Sequence, residues 1–134
     1  MLTKDDFDLI EKARRLVRPK EVRADGVIKE VGCALITEKG SIFTGASIDL
    51  ACGIGFCAEH SAIATMISQS DETHLRTIVS TDGKNILPPC GRCRELMSLL
   101  DEKNLDTQII IDDDQKKTLR ELLPNSWLDK EIDS

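Results

Sequence analysis

The stretch FCAEHSAIATM, residues 56–66, decides how the rest of the chain is read. It reads as a helix whose first turn gathers a thiol, a carboxylate and an imidazole, those of Cys57, Glu59 and His60. Such a turn is either the polar end of a packed helix or half of a reaction centre. The choice depends on what the neighbouring segments bring beside it.

Outward from that helix the apolar pattern alternates between helical and extended periods. Upstream, VGCALIT (31–37) and SIFTGASI (41–48) are short apolar runs around the turn EKGS, which predicts a β-hairpin over 31–48. Further upstream, Phe7, Ile10, Ala13, Leu16 and Val17 recur at helical spacing, with Thr3 and Asp6 as a capping-box variant at the start and Pro19 as the stop. Downstream, HLRTIVSTDG (74–83) and TQIIIDDD (107–114) are rich in β-branched residues and end in turn formers. Between them GRCRELMSLLDEK (91–103) has helical period, with Leu96, Leu99 and Leu100 on one face, and LRELLP (119–124) makes a last short helix. The order α, β, β, α, β, α, β, α has no repeat, low-complexity tract or linker, so the expectation is one α/β domain over 1–134 with a sheet covered by helices.

Composition agrees and narrows the function. At 134 residues, 40% hydrophobic and 31% charged, the chain has the balance of a folded domain able to bury a core without staples. The net charge of −6 argues against a nucleic-acid polymer as partner, because such affinity rests on neutralising phosphates; a small neutral or cationic ligand fits better. The basic residues Arg14, Arg15, Arg18, Lys20 and Arg23 read as a solvated helix end complementing the dipole. No apolar run approaches the roughly 20 residues that span a bilayer. MLTKDDFDLIEK has neither the basic start nor the apolar core of a signal peptide, so the expectation is a cytoplasmic protein with no membrane contact. Five cysteines in a reducing compartment, an odd count, favour metal binding over a disulfide framework.

The second half of the candidate centre is PPCGRCRE, residues 88–95. A Cys-x-x-Cys turn brings both sulfurs to one side of the chain, as a tetrahedral zinc requires. Closed structural sites use four protein ligands, whereas catalytic sites keep three and leave the fourth position to water. Cys57, Cys90 and Cys93 supply three, and each set opens a helix whose positive end favours thiolates. Glu59, two residues from a ligand and outside the metal count, is then free to stand beside water and move protons. Cys33 and Cys52 read as ordinary buried or loop thiols. His60 either hydrogen-bonds ligand sulfurs or points away from the metal, and Arg94 either hydrogen-bonds a ligand sulfur or pairs with solvent.

CAE followed by PPCGRCRE resembles the free-nucleoside cytidine deaminases and the related blasticidin-S deaminases, through the pairing of a ligand, x, Glu with a distant P-C-x-x-C. The likeness extends through VGCAL, FTGASID and LLPNSW, from Val31 to Trp127. It implies a three-layer α-β-α sandwich with a mixed five-stranded sheet and a homotetramer, or a homodimer, in which neighbouring subunits help build each site. It implies Zn²⁺ on Cys57, Cys90 and Cys93 and Glu59 as the catalytic acid and base. Glu59 would pass the water proton to N3 as hydroxide attacks C4 of the pyrimidine, and would then protonate the departing amino group. Backbone groups near Ala58 and Pro88 would hold the pyrimidine edge. A cysteine where other deaminases have a ligand histidine resembles the free-nucleoside branch, in keeping with the acidic charge.

Several positions depart from the family pattern. Ser47 and Asp49 stand where an Asn-x-Glu pair binds the ribose, Lys29 where an aromatic packs on the base, and His60 where an Arg hydrogen-bonds ligand sulfurs. LACGIG (50–55) is about one residue short, and Trp127 keeps the terminal aromatic that reaches a neighbour's base. These changes bear on the sugar, so the expected substrate is cytidine or deoxycytidine, with an analogue such as blasticidin S as the alternative. Two other classes stay open on the residues alone. In a structural zinc module, His60, Cys33 or Cys52 would complete a closed site and Glu59 would be dispensable; in a thiol redox protein, CGRC would be the active pair.

Overall fold

The computed structural model describes residues 1–130. Helix α1 (Lys4–Arg15) opens with the expected capping box: the Thr3 hydroxyl accepts from the Asp6 N–H at 3.2 Å and the Asp6 carboxylate from the Thr3 N–H at 2.9 Å. The helix stops at the cap Leu16, short of Pro19, and its buried apolar residues are Leu9, Ile10 and Ala13. Phe7, assigned to the apolar stripe by spacing, is 54% exposed, because the stripe that meets the sheet is rotated away from it. Of the basic cluster, Arg14 and Arg15 pair with Glu11 on the surface.

Seven strands follow: β1 (Lys20–Glu21), β2 (Val27–Thr37), β3 (Ile42–Asp49), β4 (Gly55–Phe56), β5 (Leu75–Thr81), β6 (Gln108–Ile110) and β7 (Lys116–Thr118). They form one mixed sheet in the order β4-β3-β2-β5-β6-β7, with β1 also paired to β2; β5 and β6 run parallel and all other pairs antiparallel. The expected five-stranded sheet is thus extended by β1 and β4, two residues each, where the chain enters and leaves the β2–β3 hairpin. Strand β7, unsuggested by its sequence Lys-Lys-Thr, is held by backbone pairing to β6.

Side-chain alternation along β2 and β5 divides the core in two. Ala34, Val79 and Ile110 face α1 and pack with Leu9, Ile10 and Ala13. Cys33, Leu35, Ile78 and Ile109 face the other way, against α2 (Ala58–Gln69), α3 (Gly91–Leu100) and α4 (Leu119–Leu122), where Ala62, Ile63, Met66, Met97 and Leu119 close the layer. This is the expected three-layer sandwich. On α3 the apolar face is carried by Met97 with Leu96 and Leu100 beside it, while Leu99 is 55% exposed, outside the face assigned to it. The end of α3 is tied down by Asn104, which is fully buried: its amide accepts from the Leu75 N–H and donates to the Thr73 and Met97 carbonyls. Among the described residues no helix is long and apolar enough to cross a membrane.

Two glycines set how closely the helices approach. A Cβ at Gly32 would overlap the Ala13 carbonyl oxygen of α1, and a Cβ at Gly45 would overlap the Ala62 backbone nitrogen and lie 2.6 Å from the Ser61 carbonyl carbon of α2. Backbone thus meets backbone on both faces of the hairpin, which is why these two strand positions lack side chains. Gly45→Ala is expected to push α2 off the sheet, costing about 1–3 kcal/mol. Chemical denaturation and a metal assay on the same variant check this, with loss of both stability and metal affinity as the predicted result.

Candidate active site

Helices α2 and α3 begin side by side on one edge of the sandwich, and each begins with a cysteine. Cys57 is the N-cap of α2 and Cys90 the N-cap of α3; neither side chain caps its own helix. Cys93 lies in the first turn of α3 and is fully buried. The sulfurs therefore turn toward one another, with Sγ–Sγ separations of 3.5 Å from Cys57 to Cys90 and 3.4 Å from Cys90 to Cys93. All three ligand atoms lie within 4.8 Å of each other, and among the described residues no fourth His, Cys, Asp or Glu joins them.

That donor set fits zinc. A Zn–S bond of about 2.3 Å at tetrahedral angles places sulfurs about 3.8 Å apart, close to the observed spacing, and three protein donors leave one position open. Burial pushes the Cys57 thiol up and the Cys93 thiol far up, with the neighbouring Glu59 charge adding to both. Burial also acts on Cys90, but hydrogen bonds around the α3 N-terminus outweigh it and bring that thiol down. A divalent cation, together with two helix N-termini, offsets the charge of three thiolates packed this tightly.

Glu59, in the first turn of α2, is only 6% exposed. Burial raises its carboxyl above the ordinary range, while the Ser80 hydroxyl and the Cys93 thiol act in the opposite direction. It sits beside the sulfur cluster without belonging to it and lines a cleft of about 490 Å³. Ser47, Asp49, Ala58 and Pro88, read from the sequence as substrate contacts, line the same cleft. Ser47 Oγ already accepts a 3.0 Å hydrogen bond from the Val31 N–H, which leaves its proton to offer.

Other expectations resolve individually. His60 Nδ1 stands 3.4 Å from Cys93 Sγ, and burial, with the nearby Arg92 charge, lowers its imidazole below the ordinary histidine range. Arg94 does neither of the things expected of it. Its guanidinium donates to the Pro89 carbonyl at 2.8 Å and the Leu122 carbonyl at 3.0 Å, which ties α3 to the loop before it and to α4. Trp127 lies outside the cleft, 53% exposed, and donates from Nε1 to Glu95. Lys29 is exposed, with φ +62° in the irregular stretch of β2, and only its neighbours Glu30 and Val31 reach the cleft. Cys33 is buried in the core and Cys52 exposed in a loop, both apart from the cluster.

The family model for the zinc-binding region of cytidine and deoxycytidylate deaminases matches residues 4–106. The chain belongs to this deaminase family. It is 35% identical over 103 residues to the cytidine deaminase of Halalkalibacterium halodurans, an alignment covering 73% of this chain and 76% of that one. It is 29% identical over 100 residues to the cytidine deaminase of Mycobacterium tuberculosis, covering 72% and 71%. The crystal structure of cytidine deaminase from Mycobacterium tuberculosis superposes with a TM-score of 0.77 at 23% identity, covering 93% of this chain and 98% of that one. The Mycobacterium leprae enzyme superposes at 0.75 with 25% identity, covering 93% and 100%.

Within this deaminase scaffold the sequence reading missed the apolar walls of the cleft. Phe56, Val31 and Leu87 line it, and the Phe56 ring stacks toward His60 at a centroid distance of 6.3 Å. Phe56 could have been found, as an aromatic placed directly before the first cysteine of the cluster. Val31 and Leu87 carry no such signal: Val31 is placed by the pairing of its strand, and Leu87 by its N–H bond to the Ser80 carbonyl.

Replacing any one of Cys57, Cys90 or Cys93 by Ala is expected to lower bound metal from about one ion per chain to near zero. Cys33→Ala and Cys52→Ala should keep it, and elemental analysis of the purified variants distinguishes the two groups.

Proposed function

We propose that this protein is a zinc-dependent hydrolytic deaminase that converts cytidine or deoxycytidine to uridine or deoxyuridine and ammonia. The observation that carries the proposal is a buried carboxylate, Glu59, set beside a three-sulfur cluster at the head of a nucleoside-sized cleft. A three-ligand set with an accompanying buried acid favours an open catalytic metal over the closed structural module. Cys57, Cys90 and Cys93 would hold zinc, which supplies a Lewis-acidic centre that makes water nucleophilic at neutral pH.

The remaining work falls to the protein. Glu59 accepts the proton of the attacking water, delivers it to ring N3 as C4 becomes tetrahedral, and then carries a second proton from the new C4 hydroxyl to the amino group, so that the C4–N bond breaks, the C4 carbonyl forms and ammonia leaves. A carboxyl raised by burial suits a group that must take and give a proton within one turnover. With its proton on Nδ1, His60 would donate to the Cys93 thiolate 3.4 Å away and draw charge from that sulfur. Backbone groups at Ala58 and Pro88 hold the pyrimidine edge between the walls of Phe56 and Leu87, and Ser47 and Asp49 face the sugar.

Glu59→Gln is expected to retain zinc and fold but lose turnover by about 10²–10⁴-fold, since it removes the proton carrier and little else. Steady-state deamination kinetics paired with zinc analysis check this, and ordinary activity in that variant contradicts the assignment.

The assembly belongs to the proposal as well. Ile54, Ile67, Leu99 and Trp127 each leave half or about half of a large apolar side chain exposed, which supports burial of these surfaces between copies. Light scattering is expected to give the mass of four chains of 14.9 kDa, with two as the alternative assembly. A monomer at micromolar concentration would contradict it.

A further inference from the structure

One buried polar group beside Glu59 is unaccounted for by the reaction as described. Ser80, on β5, is directly opposite Cys33 of β2 in the antiparallel register. Opposed residues of such a pair point to the same face, here the one covered by α2. Ser80 is 4% exposed, and its Oγ is fully buried with no hydrogen-bond partner of good geometry among the described residues. Leaving a buried hydroxyl unpaired costs about 1–3 kcal/mol, so a serine here calls for an explanation that alanine or valine would not.

Its surroundings point to Glu59. Ser80 and Glu59 both line the substrate cleft, and both line a narrow gap behind it whose other walls are apolar: Ile78, Leu87, Pro89 and Ile109 among them. Among the described residues lining that gap, Ser80 is the one besides Glu59 whose side chain carries a polar group, so its hydroxyl is the donor available to the carboxyl from that side. The same hydroxyl favours the charged form of Glu59 against the effect of burial.

We propose that Ser80 is a positioning residue for Glu59: its hydroxyl donates to the inner carboxylate oxygen and leaves the outer oxygen aimed into the cleft, where water and ring N3 must both be reached. Glu59 must stay in one rotamer while it carries one proton from water to N3 and a second from the new C4 hydroxyl to the amino group. A donor fixed on a central strand holds that rotamer without contributing a charge or an exchangeable acid of its own. The inference rests on the deaminase reading above and adds to it a residue outside the Cys-x-Glu and P-C-x-x-C motifs.

The test compares Ser80→Ala with the pair Ser80→Thr and Ser80→Val, whose side chains have the same shape and differ in the hydroxyl. The readouts are zinc content, kcat and KM for cytidine, and affinity for uridine and for a tetrahydropyrimidine riboside bearing a 4-hydroxyl, which mimics the tetrahedral adduct. The expected result is zinc, KM and uridine affinity within about twofold of wild type in the alanine variant, with kcat and adduct-mimic affinity both lowered about tenfold, the size of one lost hydrogen bond. The threonine variant should exceed the valine variant by the same factor. Equal kcat in the threonine and valine variants, or an alanine variant matching wild type in kcat and adduct-mimic affinity, overturns the role of Ser80 while leaving the deaminase standing. A wild-type protein that deaminates no cytosine nucleoside overturns both.

Discussion

The close seat of helix α2 on strand β3 is the constraint on which the rest depends. At Gly45 strand and helix backbones meet with no room for a side chain, and the first turn of α2 is thereby fixed in height above the sheet. That height puts Glu59 over the face carrying Cys33 and Ser80, and brings the Cys57 sulfur level with those of Cys90 and Cys93 on the neighbouring helix. On the opposite face Gly32 lets α1 approach equally closely. The hairpin is thus gripped from both sides, and the cleft opens where β3, β4 and the α2 N-terminus meet.

Electrostatics makes this arrangement costly without a cation and productive with one. Three thiols and a buried carboxyl share a small volume, and burial opposes ionisation of Cys57, Cys93 and Glu59 alike. Two helix N-termini offset part of that charge, and His60 places a ring nitrogen against the most buried sulfur. The same seclusion that penalises charge keeps the Glu59 carboxyl where a proton can be taken up and given back.

Much of this was legible in the sequence, because each feature has a local cause. The Thr3–Asp6 box, the EKGS hairpin turn and the two cysteine-bearing helix starts are written within a few residues and appear where expected. What stayed hidden was decided by tertiary contact. Phe7 and Leu99 have helical spacing yet face solvent, since spacing gives the period of a stripe and not its rotation. Strand β7 owes its pairing to β6, and Arg94 found the carbonyls of Pro89 and Leu122 in place of a sulfur because α4 folds back against α3. Ser80 meets Glu59 only through the pairing of β2 with β5 and the seat of α2 above them, neither of which any local motif records.

The proposed role of the three cysteines is to hold the single metal ion that makes this cleft a deaminase. Its most direct test is a titration: zinc added back to chelator-stripped protein while cytidine conversion and bound zinc are followed on the same samples. Activity is expected to be absent at the start, to rise in proportion to zinc and to level at one ion per chain. Full activity in the stripped protein, or zinc bound at that stoichiometry with no deamination of any cytosine nucleoside, would contradict it.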